Sequence, residues 1–137
     1  MAADFIIKTE HQVVFSYGWG TLTFGDVIDH RTRLSKDARF SPAFRQIVHL
    51  SNLTAIELSS PEIEELAKKP VFAPESRRAL FASSDLLYGL SRIFQAYSKT
   101  QNVAVFRGLN EALNWIDVPI EVANGAFLEL RSLHDLA

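Results

Sequence analysis

The hydrophobic residues of the chain form short runs whose period changes along its length. Near the N-terminus, two β-rich segments at 4–9 and 13–19 flank three polar residues, a pattern typical of an antiparallel hairpin. Three later runs are short and almost wholly apolar, as expected for strands buried on both faces. These runs span residues 45–50, 77–82 and 103–107.

Segments with helical spacing follow the hairpin and each apolar run. Thr23 with Asp26 three residues later marks the start of a first helix that runs to about Ala38. Three further helices are predicted at 61–69, 85–100 and 110–116, and Asn110 holds a good cap position for the last. Alternating strands and helices favour parallel crossovers that cover a sheet. The pattern predicts an α/β domain with a mixed, mostly parallel sheet of four or five strands, about four helices and an N-terminal antiparallel hairpin.

The last twenty residues have no clear period. They could form a docked strand, a short helix or a partly ordered tail. A chain of 137 residues is long enough for one core and needs no second. We therefore assign residues 1–117 to a single domain and 118–137 to a C-terminal extension of uncertain structure.

Composition and charge exclude several kinds of site and partner. The chain is 47% hydrophobic, has a net charge of −2 and contains no cysteine. It therefore has no disulfide, catalytic thiolate or cysteine-ligated metal, and its overall field would repel nucleic acid. Neither an export signal nor a run of 18 apolar residues is apparent, so we expect a cytoplasmic protein without stable membrane insertion.

The motifs of common enzymes are missing from the sequence. The histidines lack the close pairing of a metal site, and there is neither a G-x-S-x-G elbow nor a P-loop lysine. The glycines of residues 18–25 do not match the dinucleotide-binding spacing and are interpreted as a turn. His49 lies in a predicted buried strand, where a neutral core imidazole is the expected role. We therefore expect no enzymatic activity, no metal and no cofactor.

Two adjacent serines, Ser59 and Ser60, stand where an apolar run changes into a helix. Ser60 before Pro61 is a strong helix start, and Ser59 with Glu62 has the spacing of a capping box. Both serines therefore have a sufficient structural reason to be present.

The same stretch resembles the phosphorylation segment of the STAS domain, the fold of bacterial anti-sigma factor antagonists. In that family a strand ending in D-L-S-G-V leads to a D-S-S-G helix start. Leu50, Ser51, Thr54 and Ile56 fit this pattern, and Ser59 falls at the family's phospho-acceptor. Three departures are Glu57 for the aspartate, Leu58 for the first serine, and Ser60 with Pro61 in place of the glycine. The resemblance makes Ser59 and Ser60 candidate phospho-acceptors, although we expect them to be chiefly structural.

Residues 82–116 resemble the SpoIIAA-like subfamily of STAS and SEC14-type proteins. The family pattern D-L-x-Y-G-L-x-R-x-[FY], followed by V-F-R-x-L-x-E-A-L-x-W-[IL], is matched by Asp85, Leu86, Tyr88, Gly89, Leu90, Arg92, Val105, Phe106, Arg107, Glu111, Ala112, Leu113 and Trp115. The resemblance implies a single STAS or SpoIIAA-like domain without catalytic activity. Its wider group includes phospho-switched antagonists and carriers of apolar ligands.

Four residues of the third predicted helix are candidates for a ligand or partner surface: Asp85, Tyr88, Gly89 and Arg92. Arg92 lies one turn beyond Tyr88 and could bind an anion or a neighbouring carboxylate. Gly89 is expected on or beside the buried face of this helix, where close approach to the sheet or a bound group would offset the cost of glycine.

The favoured interpretation is a cytoplasmic regulatory module that binds a protein partner. The alternative is a carrier or sensor of a lipid or other apolar small molecule in a SEC14-like pocket, for which the ten phenylalanines offer aromatic volume. The ordinary account of those rings is core filling. A homodimer is a further expectation, because domains with an exposed edge hairpin often self-associate.

Overall fold

The computed structural model describes residues 2–136, so Met1 and Ala137, the outer limits of the two predicted regions, lie outside it. This part of the chain contains seven strands: β1 (Ala3–Lys8), β2 (Val13–Gly18), β3 (Gly20–Thr23), β4 (Arg45–His49), β5 (Leu53–Glu57), β6 (Arg77–Phe81) and β7 (Asn102–Phe106). It contains five helices: α1 (Phe24–Lys36), α2 (Ser60–Lys68), α3 (Asp85–Tyr97), α4 (Leu109–Ile116) and α5 (Ile120–Leu133).

The main sheet has five strands in the order β1-β2-β4-β6-β7. The predicted hairpin is confirmed: β1 pairs antiparallel with β2, and Gln12 in the turn has a φ of 56°. From β2 onward every neighbouring pair is parallel, as the alternation of strands and helices predicted. The result is the mixed, mostly parallel sheet expected from the sequence.

Alternation along the central strands gives the sheet two different buried faces. Phe15, Tyr17, Ile47 and Ala79 point to one face and pack with α4 and α5 in a single hydrophobic cluster. The intervening residues face the layer that contains α1, α2 and α3. Both faces of the central strands are therefore covered, which explains their nearly continuous apolar sequence.

A second sheet of two strands was not predicted. β3 pairs parallel with β5, and the register shifts between Gly20 and Thr21. The sequence of β3, Gly-Thr-Leu-Thr, is too short to show a period, and Gly20 has a φ of 64° that suits a turn. The interpretation of this segment as only a turn is therefore wrong.

Of the alternatives left open for the C-terminal segment, the structure shows a helix. Ala123, Ala126, Phe127 and Leu130 are the buried positions of α5, and they share the hydrophobic cluster of β2. The ring of Phe127 meets that of Phe15 edge to face, with centroids 5.7 Å apart. The buried positions of α5 have helical spacing in the sequence, but two of the four are alanines, whose small side chains give a weak hydrophobic signal.

The predicted helix starts are mostly confirmed. Thr23 and Asp26 form a capping box at α1, and Ser84 caps α3 by accepting from the Leu87 amide at 3.2 Å. The prediction for α4 is wrong, because Gly108 is the N-cap and Asn110 lies inside the first turn. At the other end of α4, Asp117 adopts a left-handed conformation with φ 57°.

Helix α3 differs from the expected orientation. Its buried positions include Leu87 and Ser91, whereas the apolar side chains of Leu86, Ile93 and Tyr97 are exposed. Gly89 is also exposed, and a Cβ built on it would meet no atom within 4 Å. The predicted close approach at Gly89 is therefore wrong.

We expect Gly89→Ala to stabilise the protein by about 0.5 to 1 kcal/mol, because alanine has the better helix propensity and the position is open. Urea unfolding measures the change. Gly20→Ala is the contrasting variant and should destabilise, since its positive φ disfavours a side chain. A loss of stability in Gly89→Ala would indicate a packing contact on this face of α3.

Ser59→Ala should destabilise by about 1 kcal/mol, because Ser59 is the N-cap of α2. Its side chain accepts from the Glu62 amide at 3.3 Å, and its own amide donates to the Glu62 carboxylate at 2.9 Å. Ser60→Ala is the matched control and should be nearly neutral, since Ser60 makes no capping contact. Equal losses in the two variants would contradict the assignment of the cap.

Candidate ligand-binding cavity

A cavity of about 160 Å³ lies between the main sheet and the layer of α1, α2 and α3. Each of these helices contributes aliphatic side chains to it, including Leu34 of α1, Leu66 of α2 and Leu90 of α3. The segment between α2 and β6 adds Phe72, and α3 adds Phe94. The lining is therefore mostly apolar and comes from segments distant in sequence.

A chain of buried polar side chains crosses the sheet beneath this cavity. Arg78 Nε donates to Gln46 Oε1 at 3.2 Å, and Gln46 Nε2 donates to Ser16 Oγ at 3.0 Å. The same hydroxyl lies 3.0 Å from Nε2 of His30 on α1. Ser16, Gln46 and Arg78 belong to the adjacent strands β2, β4 and β6, so the chain joins three strands to one helix.

Arg78 is the most unusual member of this chain. It is 6% exposed, and its guanidinium carbon lies 4.8 Å from the ring centroid of Phe72 and 5.8 Å from that of Phe94. Within residues 2–136 no carboxylate pairs with it. Burial, and then the charge of Arg31, lower the pKa of Arg78 to about 9.

Arg31 also lines the cavity but is occupied by backbone carbonyls. Its Nη1 donates to the carbonyl of Leu66 at 2.8 Å and to that of Lys69 at 2.7 Å, at the end of α2. A cation at a helix C-terminus satisfies carbonyls that lack intrahelical partners. Burial lowers the pKa of Arg31 to about 10. The described lining thus contains two arginines and no acidic residue.

His30 contributes a neutral imidazole to the site. Burial, together with the charge of Arg33, lowers the pKa of His30 to about 4. Because Ser16 Oγ already accepts a hydrogen from Gln46, its own proton is free to be donated to Nε2 of His30. The imidazole therefore completes the polar chain without adding charge at neutral pH.

The four surface candidates of α3 lie outside the cavity lining. Asp85 pairs with Arg107 at 2.6 Å, and the Arg107 guanidinium carbon is 4.2 Å from the Tyr88 ring centroid. Arg92 is exposed, and its Nη1 lies 3.5 Å from the Tyr88 hydroxyl. An exposed ion pair of this kind contributes about 0 to 1 kcal/mol. A binding role for Asp85, Tyr88, Gly89 and Arg92 stays a prediction.

Of the two serines before α2, Ser59 has the capping role that the sequence allowed for either, and Ser60 does not. Ser59 is the N-cap and Ser60 begins the helix, and both are exposed. Phosphorylation at either position stays a prediction.

His49 lies among aromatic rings on the opposite face of the sheet. The centroids of Tyr17, Phe81 and Phe127 are 4.8, 4.9 and 5.1 Å from its own. Burial lowers the pKa of His49 to about 4, the direction expected for a neutral imidazole among apolar side chains. Its Nδ1 is buried and has no hydrogen-bond partner within residues 2–136.

Sequence reasoning missed all four members of the polar chain. A signal for three of them was present, because Ser16, Gln46 and Arg78 are polar residues inside otherwise apolar strands. Such residues must find partners in the interior, so they mark a buried polar site. His30 had no comparable signal, since it stands on an amphipathic helix with many polar residues.

Residues 2–136 contain neither a metal-binding cluster nor a membrane-spanning helix. No cluster of three or more histidine, cysteine or acidic side chains there could hold a metal ion. No helix in the same range has the length and apolarity needed to cross a membrane.

The buried histidines should make the protein less stable in mild acid. The unfolded chain binds a proton near the ordinary histidine pKa of about 6.5, whereas folded His30 binds one only near pH 4. Stability should therefore fall as the pH drops from about 6.5 to 4, by up to about 1.4 kcal/mol per pH unit for each such histidine, and this contribution should level off below pH 4.

Urea unfolding of wild type and His30→Gln across this range measures the effect. The acidic groups contribute equally to both curves, so the difference between the curves isolates the contribution of His30. We expect a shallower fall in His30→Gln, and parallel curves would mean that His30 is accessible to protons in the folded protein.

Comparison with solved structures gives matches, whereas the comparisons with family models and curated proteins do not. Among solved structures, the chain is similar to an uncharacterised protein of the DUF3478 family from Shewanella loihica PV-4, which is described as having a SpoIIAA-like fold. The TM-score is 0.60 and the identity 16%, with 84% of this chain and 94% of the other covered. The chain therefore has the SpoIIAA-like α/β fold that its sequence resemblance predicted.

Proposed function

We propose that this STAS-like module binds an apolar small molecule in the cavity between its main sheet and helices α1 to α3. The observation that carries the proposal is the lining itself: a mostly apolar, partly open cavity of about 160 Å³ with a few convergent polar groups. Binding sites for small molecules have this character. For scale, an engineered protein cavity of about 150 Å³ lined by leucine, isoleucine and phenylalanine binds benzene.

The energetics of packing support this proposal. Protein interiors are close-packed, and a space of this size between the sheet and its helices leaves apolar side chains of the lining without packing partners. A ligand that fills the volume recovers the missing contacts. The opposite face of the sheet has the same strands and a continuous hydrophobic cluster with α4 and α5, so the difference lies in the α1 to α3 layer.

A non-enzymatic role suits the chemistry of the polar chain. Ser16 and His30 are in contact, but within residues 2–136 no carboxylate hydrogen-bonds to the imidazole. The pKa of about 4 makes His30 a weak base at neutral pH, and Ser16 is 3% exposed in the middle of a strand. These groups are suited to orienting a ligand.

The protein partner expected from the family resemblance stays a prediction, as does self-association. The two roles are compatible, because a filled cavity could alter the surface of α2 or α3. Binding of a small molecule to the cavity can be measured without any partner present.

Toluene should raise the melting temperature of the wild-type protein. A ligand at 100 times its dissociation constant stabilises the folded state by about 2.7 kcal/mol, which corresponds to a shift on the order of 10 °C for a domain of this size. Leu90→Trp adds volume to the cavity lining and should abolish the shift. Leu128→Trp is the matched control, since Leu128 is 57% exposed on α5, which covers the other face.

The same titration followed by amide NMR should move resonances of β4, β6 and α3 in the wild type. Absence of binding to the wild type would refute the proposed function. An equal rise in melting temperature for wild type and Leu90→Trp would mean that toluene binds outside the cavity, and it would also refute the proposed function.

A further inference from the structure

We infer that the ligand of this cavity carries a single carboxylate, bound by the forked guanidinium of Arg78, on a small apolar body. This inference rests on the proposed function and names the class of ligand. It follows from the position of Arg78, from the charges around it and from the size of the cavity.

Arg78 has donors that the protein leaves unused. A guanidinium has five N–H groups, and Nε donates to Gln46 Oε1 at 3.2 Å. The two terminal nitrogens have no acceptor within residues 2–136, although Arg78 lines the cavity. These nitrogens form the edge of a guanidinium that matches a carboxylate through two parallel hydrogen bonds.

Three other arginines are paired with acidic side chains. Arg33 pairs with Asp4 and Asp29, Arg39 with Asp37, and Arg107 with Asp85, all at positions more exposed than Arg78. Arg78, the most buried arginine of the described residues, has neither an acidic partner nor a carbonyl acceptor for its terminal nitrogens. A buried charge is costly unless it is paired, so an anion in the cavity would find an unmatched partner there.

The burial also affects the acidity of this group. The pKa of Arg78 is lowered to about 9, as expected for a cation that has lost water without gaining a counter-charge. The ring faces of Phe72 and Phe94 attract the guanidinium and compensate for only part of its lost hydration.

The charge of the site selects a monoanion. Nη1 of Arg31 is engaged by the carbonyls of Leu66 and Lys69, and His30 is neutral, so Arg78 is the cation of the described lining whose two terminal nitrogens both lack an acceptor within residues 2–136. A carboxylate cancels the charge of Arg78, whereas the second negative charge of a phosphate dianion would need Arg31, whose Nη1 is already held by two carbonyls at the end of α2. The volume of about 160 Å³ accommodates a single aromatic ring or a short acyl chain beside the carboxylate.

Gln46 is a positioning residue for this contact. Its carbonyl oxygen accepts from Arg78 Nε, and its amide is itself held by Ser16 Oγ at 3.0 Å. This arrangement fixes the plane of the guanidinium and leaves its outer edge for the ligand. The polar chain therefore prepares Arg78 for a planar anion before binding.

The test compares phenylacetate with phenylacetamide, two probes of similar size that differ in charge, by isothermal titration calorimetry of the full chain at pH 7. Wild type should bind phenylacetate at least about 10-fold more tightly, as expected for charge-assisted hydrogen bonds in a desolvated site. Arg78→Met should lose this preference. Arg77→Met is the control: the neighbouring residue on β6 is exposed and donates to the Trp115 carbonyl, so its loss should leave the preference intact.

The outcomes separate this inference from the proposed function. Equal affinity of wild type for phenylacetate, phenylacetamide and toluene would overturn the carboxylate assignment and leave the apolar cavity in place. Tighter binding of phenyl phosphate than of phenylacetate would also overturn it. Binding of none of the probes would refute both. If Arg78→Met does not fold, the wild-type preference still decides, and Arg78→Lys should weaken phenylacetate binding because lysine keeps the charge without the fork.

Discussion

The pairing of β4 between β2 and β6 is the constraint on which both layers of this protein depend. The parallel register sets Val14 beside Gln46 and Gln46 beside Arg78, and alternation then decides which side chains share a face. A shift of one residue in β4 would exchange the contents of its two faces. Ile47 would leave the hydrophobic cluster of α4 and α5, and Gln46 would leave the chain that reaches Arg78.

The two faces of one sheet have consequently taken different roles. On the side of α4 and α5 the residues fill space, and even the polar His49 is surrounded by aromatic rings. On the side of α1 to α3 the strands contribute Ser16, Gln46 and Arg78, and the helices leave a cavity above them. The face that packs against α4 and α5 therefore supplies much of the hydrophobic stabilisation. The face toward α1 to α3 tolerates a polar chain whose net contribution to stability is small.

The candidate site shows which functional residues sequence patterns could predict and which they could not. The matched residues of α3 led to Asp85, Tyr88, Gly89 and Arg92, which lie outside the cavity lining. The spacing identified the helix but placed its buried face wrongly, because the exposed positions of α3 include large apolar residues such as Leu86. The polar residues inside the strands were the better signal. Their meaning depends on which strands become neighbours, and that is a property of the sheet.

The sequence by itself determined the class of the fold, the hairpin and the alternation of strands and helices, because these follow from the period of the hydrophobic residues. It also determined the Thr23 capping box and a start of α2 at one of two serines, because caps depend on contacts within a few residues. It left α5 undecided, since a helical stripe built half from alanine is stable only when docked on the sheet. Only the tertiary structure decided that Ser16, Gln46, Arg78 and His30 meet, and that Arg78 is buried without an acid. These residues span three strands and a helix, and their proximity results from long-range packing that no local pattern specifies.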